Sequence, residues 1–268
     1  MTTSETVGGA ARRAVQHPML DRLAKVGFAA RGVLYALIGV IALQIAFGGS
    51  GGEEADKSGA IHMVAAQPFG SVLLWIMAIG LTGLVVWQIG EAIWGRPKMR
   101  DRVESIARAV VYTALVISIV GLLVKGKEAA STDSQSQDAT RALLEMPGGQ
   151  FLVGLLALGV MALGVYWIHE GWTEKFMKDM HVTDPKARTT VVRLGKAGYI
   201  SRGVVAIAAG VLVGQAALTF DPDKAAGIDD ALKSLSETPM GPWLLAAVAI
   251  GLILFAIYCF AESRWHRT

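Results

Sequence analysis

One pattern occurs three times along this chain of 268 residues: an arginine that leads into a long apolar run. The copies lie at residues 27–47, 107–123 and 201–218, and their arginines are Arg31, Arg108 and Arg202. A helix needs about 20 apolar residues to cross the hydrocarbon core of a bilayer. Each copy therefore predicts a membrane-spanning helix that carries one positive charge near the end at which it enters the membrane.

A second apolar run follows each copy and begins at a proline, which is Pro68, Pro147 or Pro239. Glycine lies two and twelve residues after that proline, an aromatic residue nineteen after it and a glutamate 23 after it. The glycines at the twelfth position are Gly80, Gly159 and Gly251, and the glutamates are Glu91, Glu170 and Glu262. Agreement at so many positions without a gap indicates a threefold internal repeat of a helical hairpin.

The composition fits a membrane protein, because 53% hydrophobic and 18% charged residues are too apolar a balance for an ordinary soluble domain. Six runs meet or approach the spanning length, at roughly 26–47, 69–90, 109–125, 151–169, 203–220 and 243–261. The remaining segments are too short for a separate soluble core. We predict an all-α membrane protein whose six transmembrane helices form three repeated hairpins in a pseudo-threefold arrangement.

The repeat boundaries divide the chain into a tail and three hairpins. Residues 1–16 are rich in small and polar residues and are predicted to be a mobile N-terminal tail. The three hairpins are predicted at residues 17–98, 99–183 and 184–268. Together the hairpins are expected to form one membrane domain.

Charge is distributed unevenly between the two sets of loops. The set that holds both termini, counted with Arg31, carries 19 of the 25 lysines and arginines, and the other set carries 12 of the 22 acidic residues. Lysine and arginine accumulate in cytoplasmic loops of membrane proteins. We therefore expect a multi-pass membrane protein with both termini in the cytoplasm.

The repeated arginines and glutamates are predicted to meet at equal depth. Proline to glutamate spans about 34 Å of helix, roughly one hydrocarbon thickness. Arg31 should therefore lie at the depth of Glu91, Arg108 at that of Glu170, and Arg202 at that of Glu262.

An intramembrane charge costs at least about 2.5–3.5 kcal/mol, and pairing removes most of that cost. Spacing leaves open whether the pairs form within one hairpin or between neighbours. Ion pairs that fix hairpin register are favoured over a transport or proton-relay role, and the arginines could also reach lipid phosphates.

Several glycines are predicted to be helix-packing positions, because a small residue lets another backbone approach closely. Gly80, Gly159 and Gly251 lie in the middle of the second helix of their hairpins. A GxxxG pattern lies in the fifth apolar run, at Gly210 and Gly214.

His169 lies beside Glu170, where the other copies have Gly90 and Ala261. It is a candidate for proton handling because histidine titrates near neutral pH, and the alternative is a hydrogen bond to a neighbour. No second histidine or cysteine lies at a metal-ligand spacing, so neither a metal nor another cofactor is predicted. The single cysteine, Cys259, is interpreted as a small packing residue.

The repeat segments resemble a known family. The stretches ARGVLYALIGVIAL, SRGVVAIAAG and QPFGSVLLWIMAIGLTGLVVWQIGEA, within residues 22–265, resemble the bacterial membrane family catalogued as domain-of-unknown-function family 1206. The resemblance implies three tandem two-helix units in the bacterial cytoplasmic (inner) membrane, and it implies no activity. The copies differ from one another: Ala109 replaces the glycine after the arginine, Ser105 stands where Phe28 and Tyr199 stand, and Ala206 stands where Tyr35 and Tyr112 stand. The units therefore need not share one role equally.

Three functions are compatible with this pattern. The first is a non-enzymatic accessory, assembly or lipid-contacting protein, because loops are short and no phosphate loop, HExxH motif or nucleophile elbow occurs. The alternative is a small-solute or ion pathway lined by the three arginines, and a less favoured one is a membrane enzyme that uses His169 and Glu170. The expected partners are the lipid bilayer and another membrane protein, but not nucleic acid. The oligomeric state is left open.

Overall fold

The computed structural model describes residues 18–47, 55, 57–95, 99–125, 132–225, 227–237 and 239–265. Within these ranges the chain forms nine α-helices joined by turns, with no β-strand. The predicted tail, residues 1–16, lies outside them. The all-helical fold class is confirmed for the part of the chain that is described.

Six of the helices are long and apolar enough to cross a membrane. Their bounds are α1 Pro18–Ala46, α3 Gly70–Gly90, α4 Met99–Lys125, α6 Gly149–Trp172, α7 Pro185–Thr219 and α9 Gly241–Trp265. They contain the six predicted spans to within a few residues at each end. The six long apolar helices indicate a multi-pass membrane protein.

A short helix precedes the second long helix of every hairpin. These short helices are α2 Lys57–Ala65, α5 Thr132–Leu144 and α8 Ile228–Ser236. The order long, short, long therefore occurs three times along the chain. Short 3-10 turns lie at Lys175–Asp179 and Pro222–Lys224, and a π-helical turn at Glu91–Gly95 extends α3.

Glycine is required for steric reasons at the position two residues after each proline. A Cβ at Gly70, Gly149 or Gly241 would overlap the backbone carbonyl oxygen at the end of the preceding short helix, which belongs to Val64, Leu143 or Ser236. Any side chain would push the short helix away from the long one. The turn between the two helices therefore restricts this position to glycine in all three copies.

The helices group into two compact units, and α1 and α9 contribute to both. The first unit comprises residues 1–31, 64–129 and 259–268. In it α3 packs against α4, and the N-terminal half of α1 approaches α3 so closely that a Cβ at Gly27 would overlap Gly80 and Leu84. The end of α9 also reaches α1, where the Ser263 hydroxyl donates a hydrogen bond to the carbonyl oxygen of Lys25 at 2.7 Å.

The second unit comprises residues 32–63 and 130–258. Its most extensive helix contact joins α6 and α7, whose backbones approach closely at Gly164 and Gly203. The C-terminal half of α1 packs on α9, since a Cβ at Gly39 would press on Ile253. A cluster of four rings fills the interior where α7 meets α9, with neighbouring centroids 5.1–5.9 Å apart, and consists of Phe176, Tyr199, Phe255 and Tyr258.

The same helix contact recurs between consecutive hairpins. The second long helix of each hairpin contacts the first long helix of the next, as α3 does with α4 and α6 with α7. The last hairpin follows the same rule with the first, because α9 contacts α1 within both units. Helices of one hairpin also pack on each other, as α1 does with α3 and α7 with α9.

Candidate functional site

Arg31, on α1, is held by side chains from three different helices. Its guanidinium forms an ion pair with Glu262 of α9, donates a hydrogen bond from Nη1 to the Tyr112 hydroxyl on α4 at 3.0 Å, and donates from Nε to Cys259 Sγ at 3.3 Å. The Arg31 Cζ atom also lies 5.2 Å from the centroid of the Phe28 ring. Phe28 is itself held by an edge contact with Trp87 at 5.8 Å.

The Arg31 ion pair is largely buried, because only 12% of the arginine side chain and 8% of the glutamate side chain are exposed. Removing two charges from water is costly, and the cost is offset only where the pair is well hydrogen bonded. Tyr112 and Cys259 supply the additional acceptors that such a pair requires. The arrangement holds α1, α4 and α9 together at one point.

The position of Glu262 answers the question that spacing left open for Arg31. Glu262 belongs to the third hairpin and Arg31 to the first, so this pair forms between hairpins. It forms because the second helix of the third hairpin packs on the first helix of the first one. The pairing of Arg202 with Glu262 that equal depth predicted stays a prediction, because the two residues belong to different compact units.

Arg202, on α7, lies instead in a group of four aromatic rings, which we call the Arg202 cage. Its Cζ atom is 4.2 Å from the centroid of Trp167, 4.6 Å from Phe255, 5.3 Å from Tyr35 and 5.7 Å from Tyr199. These distances fall within the range of cation–π attraction. Among the described residues, none accepts a hydrogen bond from Arg202. Arg202 is half-buried.

The Arg31 and Arg202 sites use equivalent positions of the repeat. Cys259 and Trp167 both lie twenty residues after the proline of their hairpins, and Tyr112 and Tyr35 both lie four residues after the arginine of theirs. In each site the tyrosine comes from the following hairpin and the residue at position twenty from the preceding one. Phe28 and Tyr199, three residues before the arginines, also match.

Sequence reasoning missed the roles of Cys259 and Trp167. Cys259, interpreted from sequence as a packing residue, is fully buried but also accepts the hydrogen bond from Arg31 Nε. A signal for both existed in the repeat, because position twenty holds Gln88, Trp167 and Cys259, three side chains of different chemistry. Variation at one position of an otherwise regular repeat marks the place where the copies differ in function or packing.

Three predicted charges remain, and they lie on α4, on α6 and in the turn that extends α3. Glu91 is the first residue of the π-helical turn and is half-buried, as is Arg108 on α4. Glu170 is 7% exposed near the end of α6. Each of these three residues has its own interaction partners.

His169 is exposed, although Glu170 beside it is buried. Its Nε2 atom lies 3.0 Å from Lys175 Nζ, and its backbone carbonyl accepts a hydrogen bond from the Thr173 hydroxyl at 2.7 Å. The ring therefore contacts a neighbour at the end of α6. No group of three or more metal-ligating side chains is found in the described part of the chain.

The predicted packing glycines divide into two groups. A Cβ at Gly80 would overlap the backbone of Gly27, one at Gly251 would overlap Ser201, and one at Gly210 would press on Met161. At Gly214 the contact would be an ordinary 3.6 Å to Ala157. At Gly159 a Cβ would meet no described atom within 4 Å.

Two apolar grooves lie on the helix surfaces. The α6–α7 groove, of about 610 Å³, is lined by residues that include Phe151, Gly154, Ala157, Met161, Val211 and Leu218. A second groove of about 600 Å³ lies between α3 and α4 and includes Ile89, Ile93, Ile106 and Ile117. Both lie within candidate membrane spans.

Comparison with known proteins gives a family and one similar protein. A family model described as Domain of Unknown Function (DUF1206) matches the chain three times, at residues 26–95, 103–174 and 197–266. The chain is 31% identical over 255 residues to the uncharacterized protein YxxB of Bacillus subtilis, covering 92% of this chain and 91% of that protein. No solved structure matches.

Proposed function

Since this chain belongs to the DUF1206 family, whose model it matches once per hairpin, we propose that it is a non-enzymatic, lipid-contacting accessory or assembly protein of the bacterial cytoplasmic membrane. Its three hairpins have a pseudo-threefold arrangement, with both termini in the cytoplasm. The bilayer and another membrane protein are its partners. The surplus of lysine and arginine on the side of both termini supports this orientation.

The single observation that carries this proposal is the Arg31 site. Its guanidinium contacts a carboxylate, a hydroxyl and a sulfur of the chain itself, and the ion pair with the carboxylate is largely buried. A charge that is already neutralised and hydrogen bonded serves to hold helices together rather than to bind a passing solute. At this site the repeated arginine and glutamate thus serve to hold the helices together.

The pseudo-threefold arrangement is supported by contacts that recur within the units. The second long helix of each hairpin packs on the first long helix of the next, and the last packs on the first. The Arg31 and Arg202 sites draw equivalent residues from hairpins in the same cyclic order.

Lipid contact is supported by the apolar surface of the long helices. Large side chains such as Val72, Ile79, Ile117, Leu155 and Val165 are about half exposed or more, which is unfavourable in water and favourable in a bilayer. The α6–α7 groove is open along the same surface, and its size suits an acyl chain or a small part of a partner helix. The proposal places lipid or a partner helix in it.

Two glycines offer a test with a matched control. Gly154 and Gly121 both have open space at the Cβ position, but only Gly154 lines the α6–α7 groove. Purification in mild detergent from native membranes should recover a bound protein or lipid with the wild type and with Gly121→Leu. Gly154→Leu fills the groove and should lose it. Reproducible recovery of the wild type alone, without lipid or protein, would contradict the proposal.

A pathway for small anions is the second candidate, and one observation favours it. Arg202 is half-buried and has neither a carboxylate nor a hydrogen-bond acceptor among the described residues, unlike Arg31. Liposomes that contain the protein should then show anion flux that Arg202→Ala abolishes. Flux equal to that of empty liposomes removes this candidate.

A further inference from the structure

The Arg202 cage satisfies only part of what a guanidinium requires. Four rings surround the positive charge, and the two nearest, Trp167 and Phe255, lie at 4.2 and 4.6 Å from Cζ. Aromatic faces attract the charge of a cation. A guanidinium, however, also carries five N–H donors in a rigid planar fork, and these need acceptors.

The Arg31 site shows how this chain satisfies those donors elsewhere. There a carboxylate, a hydroxyl and a sulfur accept from Arg31. At the equivalent position in the Arg202 cage, Trp167 stands in place of Cys259, and Tyr35 contributes its ring instead of its hydroxyl. The described residues therefore give the Arg202 donors no acceptor.

The surroundings of Arg202 suit a negatively charged group. The segment of α7 before it carries four positive side chains and no acidic one from Pro185 onwards: Lys186, Arg188, Arg193 and Lys196. A positive field raises the local concentration of anions and of anionic lipid headgroups. Arg202 itself is neither sealed nor fully exposed.

We propose that the Arg202 cage is a binding site for a phosphate group, in which the rings orient the guanidinium and its planar fork donates to two phosphate oxygens. The fork matches the geometry of a tetrahedral oxyanion, and the pair forms strong charge-assisted hydrogen bonds. The phosphate comes either from a lipid headgroup or from free inorganic phosphate. This inference deepens the lipid-contacting part of the proposed function and rests on it only for the lipid source.

Tryptophan fluorescence of the purified full chain provides the measurement, since Trp167 lies against Arg202. The protein in a phosphate-free detergent is titrated with inorganic phosphate, with a short-chain phosphatidylglycerol, and with a short-chain diacylglycerol that lacks phosphate. We expect saturable binding of at least one phosphate probe and none of diacylglycerol. Binding of phosphatidylglycerol alone identifies a lipid headgroup, and binding of both identifies a general phosphate site.

Two substitutions separate the effect of the cage from that of positive charge in general. Arg202→Gln should weaken binding by about tenfold or more, the effect of losing a charge-assisted hydrogen bond. Arg141→Gln, which removes an exposed arginine of α5, should leave the affinity within about twofold. Arg202→Lys keeps the positive charge and provides a second test if Arg202→Gln does not fold. It should bind phosphate more weakly than the wild type because the planar guanidinium fork is lost.

Several outcomes would overturn the inference. The first is that the wild-type protein binds neither phosphate probe. The second is that Arg202→Gln or Arg202→Lys binds with wild-type affinity. The third is that diacylglycerol binds as well as phosphatidylglycerol. The recovery of a partner or lipid in the Gly154 groove experiment does not depend on Arg202. A failure of this inference is therefore distinguishable from a failure of the proposed function.

Discussion

The Arg31 and Arg202 sites occupy the same positions of the repeat, but different groups surround the charge of the arginine in each. Arg31 is neutralised by a carboxylate and hydrogen bonded by Tyr112 and Cys259. Arg202 is surrounded by rings, with no acceptor among the described residues. One repeated scaffold thus provides one closed site and one that is open to a ligand.

The residue at position twenty accounts for much of the difference. In the Arg31 site Cys259 is small, so the guanidinium passes it and reaches Glu262 one turn further along α9. In the Arg202 cage Trp167 covers the guanidinium face instead. A single side chain can therefore convert an ion-pair site into an aromatic one while the backbone arrangement is kept.

Removal of the Glu262 carboxylate should have the largest effect. Glu262→Gln leaves Arg31 charged and largely buried without its counter-ion, and breaking such a pair costs about 3–5 kcal/mol of the free energy of unfolding. Unfolding in detergent by heat or denaturant measures the change. If Glu262→Gln is as stable as the wild type, Arg31 is not held by this pair and the two sites do not differ as described.

The control for this prediction is an exposed ion pair. Arg141 and Asp223 lie 2.9 Å apart, but 54% and 73% of their side chains are exposed. Asp223→Asn should therefore cost less than about 1 kcal/mol. A similar loss in Asp223→Asn and Glu262→Gln would show that burial does not distinguish the pairs.

The two equivalent tyrosines provide the most direct comparison of the sites. Tyr112 accepts a hydrogen bond from Arg31, whereas Tyr35 contacts Arg202 through its ring. Tyr112→Phe should cost about 1.5–3 kcal/mol, because an N–H of the buried Arg31 guanidinium loses its acceptor. Tyr35→Phe keeps the ring and should be close to neutral. Equal effects of the two substitutions in unfolding experiments would remove the distinction between the sites.

Much of the architecture could be predicted from the sequence, because the repeat and the six apolar runs are properties of spacing alone. The location of Arg31 and Glu262 in one site could not, since pairing between hairpins depends on which helices pack together. The same limit explains Gly159, which matches Gly80 and Gly251 in sequence but has open space at its Cβ position among the described residues. Equivalent residues of a repeat can have different neighbours.

The departure of the third copy was a useful sequence signal, although its meaning needed coordinates. Ala206 stands where Tyr35 and Tyr112 contact the arginines of other hairpins. The repeat showed that one tyrosine is missing but not which arginine each tyrosine contacts. Side-chain contacts across hairpins have no fixed sequence spacing and could be found only from the fold.

The close approach of α6 and α7 near Arg202 gives the third prediction. A Cβ at Gly203 would press on the Gly164 carbonyl oxygen at 2.5 Å and on Ile168. Gly203→Ala should therefore cost about 1–3 kcal/mol through overpacking and should also displace Trp167 from Arg202. Gly159→Ala, with open space around its Cβ, should be neutral or slightly stabilising. Unfolding and tryptophan emission together measure both effects, and a stable Gly203→Ala with unchanged emission would contradict the close packing.

The smallest expected effect is at Cys259. Sulfur is a weak acceptor, so Cys259→Ala removes a weak hydrogen bond from Arg31 and a little buried volume, and should cost about 1 kcal/mol or less. Cys259→Trp introduces the residue of the Arg202 cage and should instead separate Arg31 from Glu262, with a loss near that of Glu262→Gln. Overpacking by the tryptophan alone typically costs less than that. The double variant Cys259→Trp with Glu262→Gln distinguishes overpacking from loss of the ion pair. If both substitutions act by breaking the pair, their combined loss is smaller than the sum of the single losses. Fully additive losses would show that position twenty does not control the ion pair.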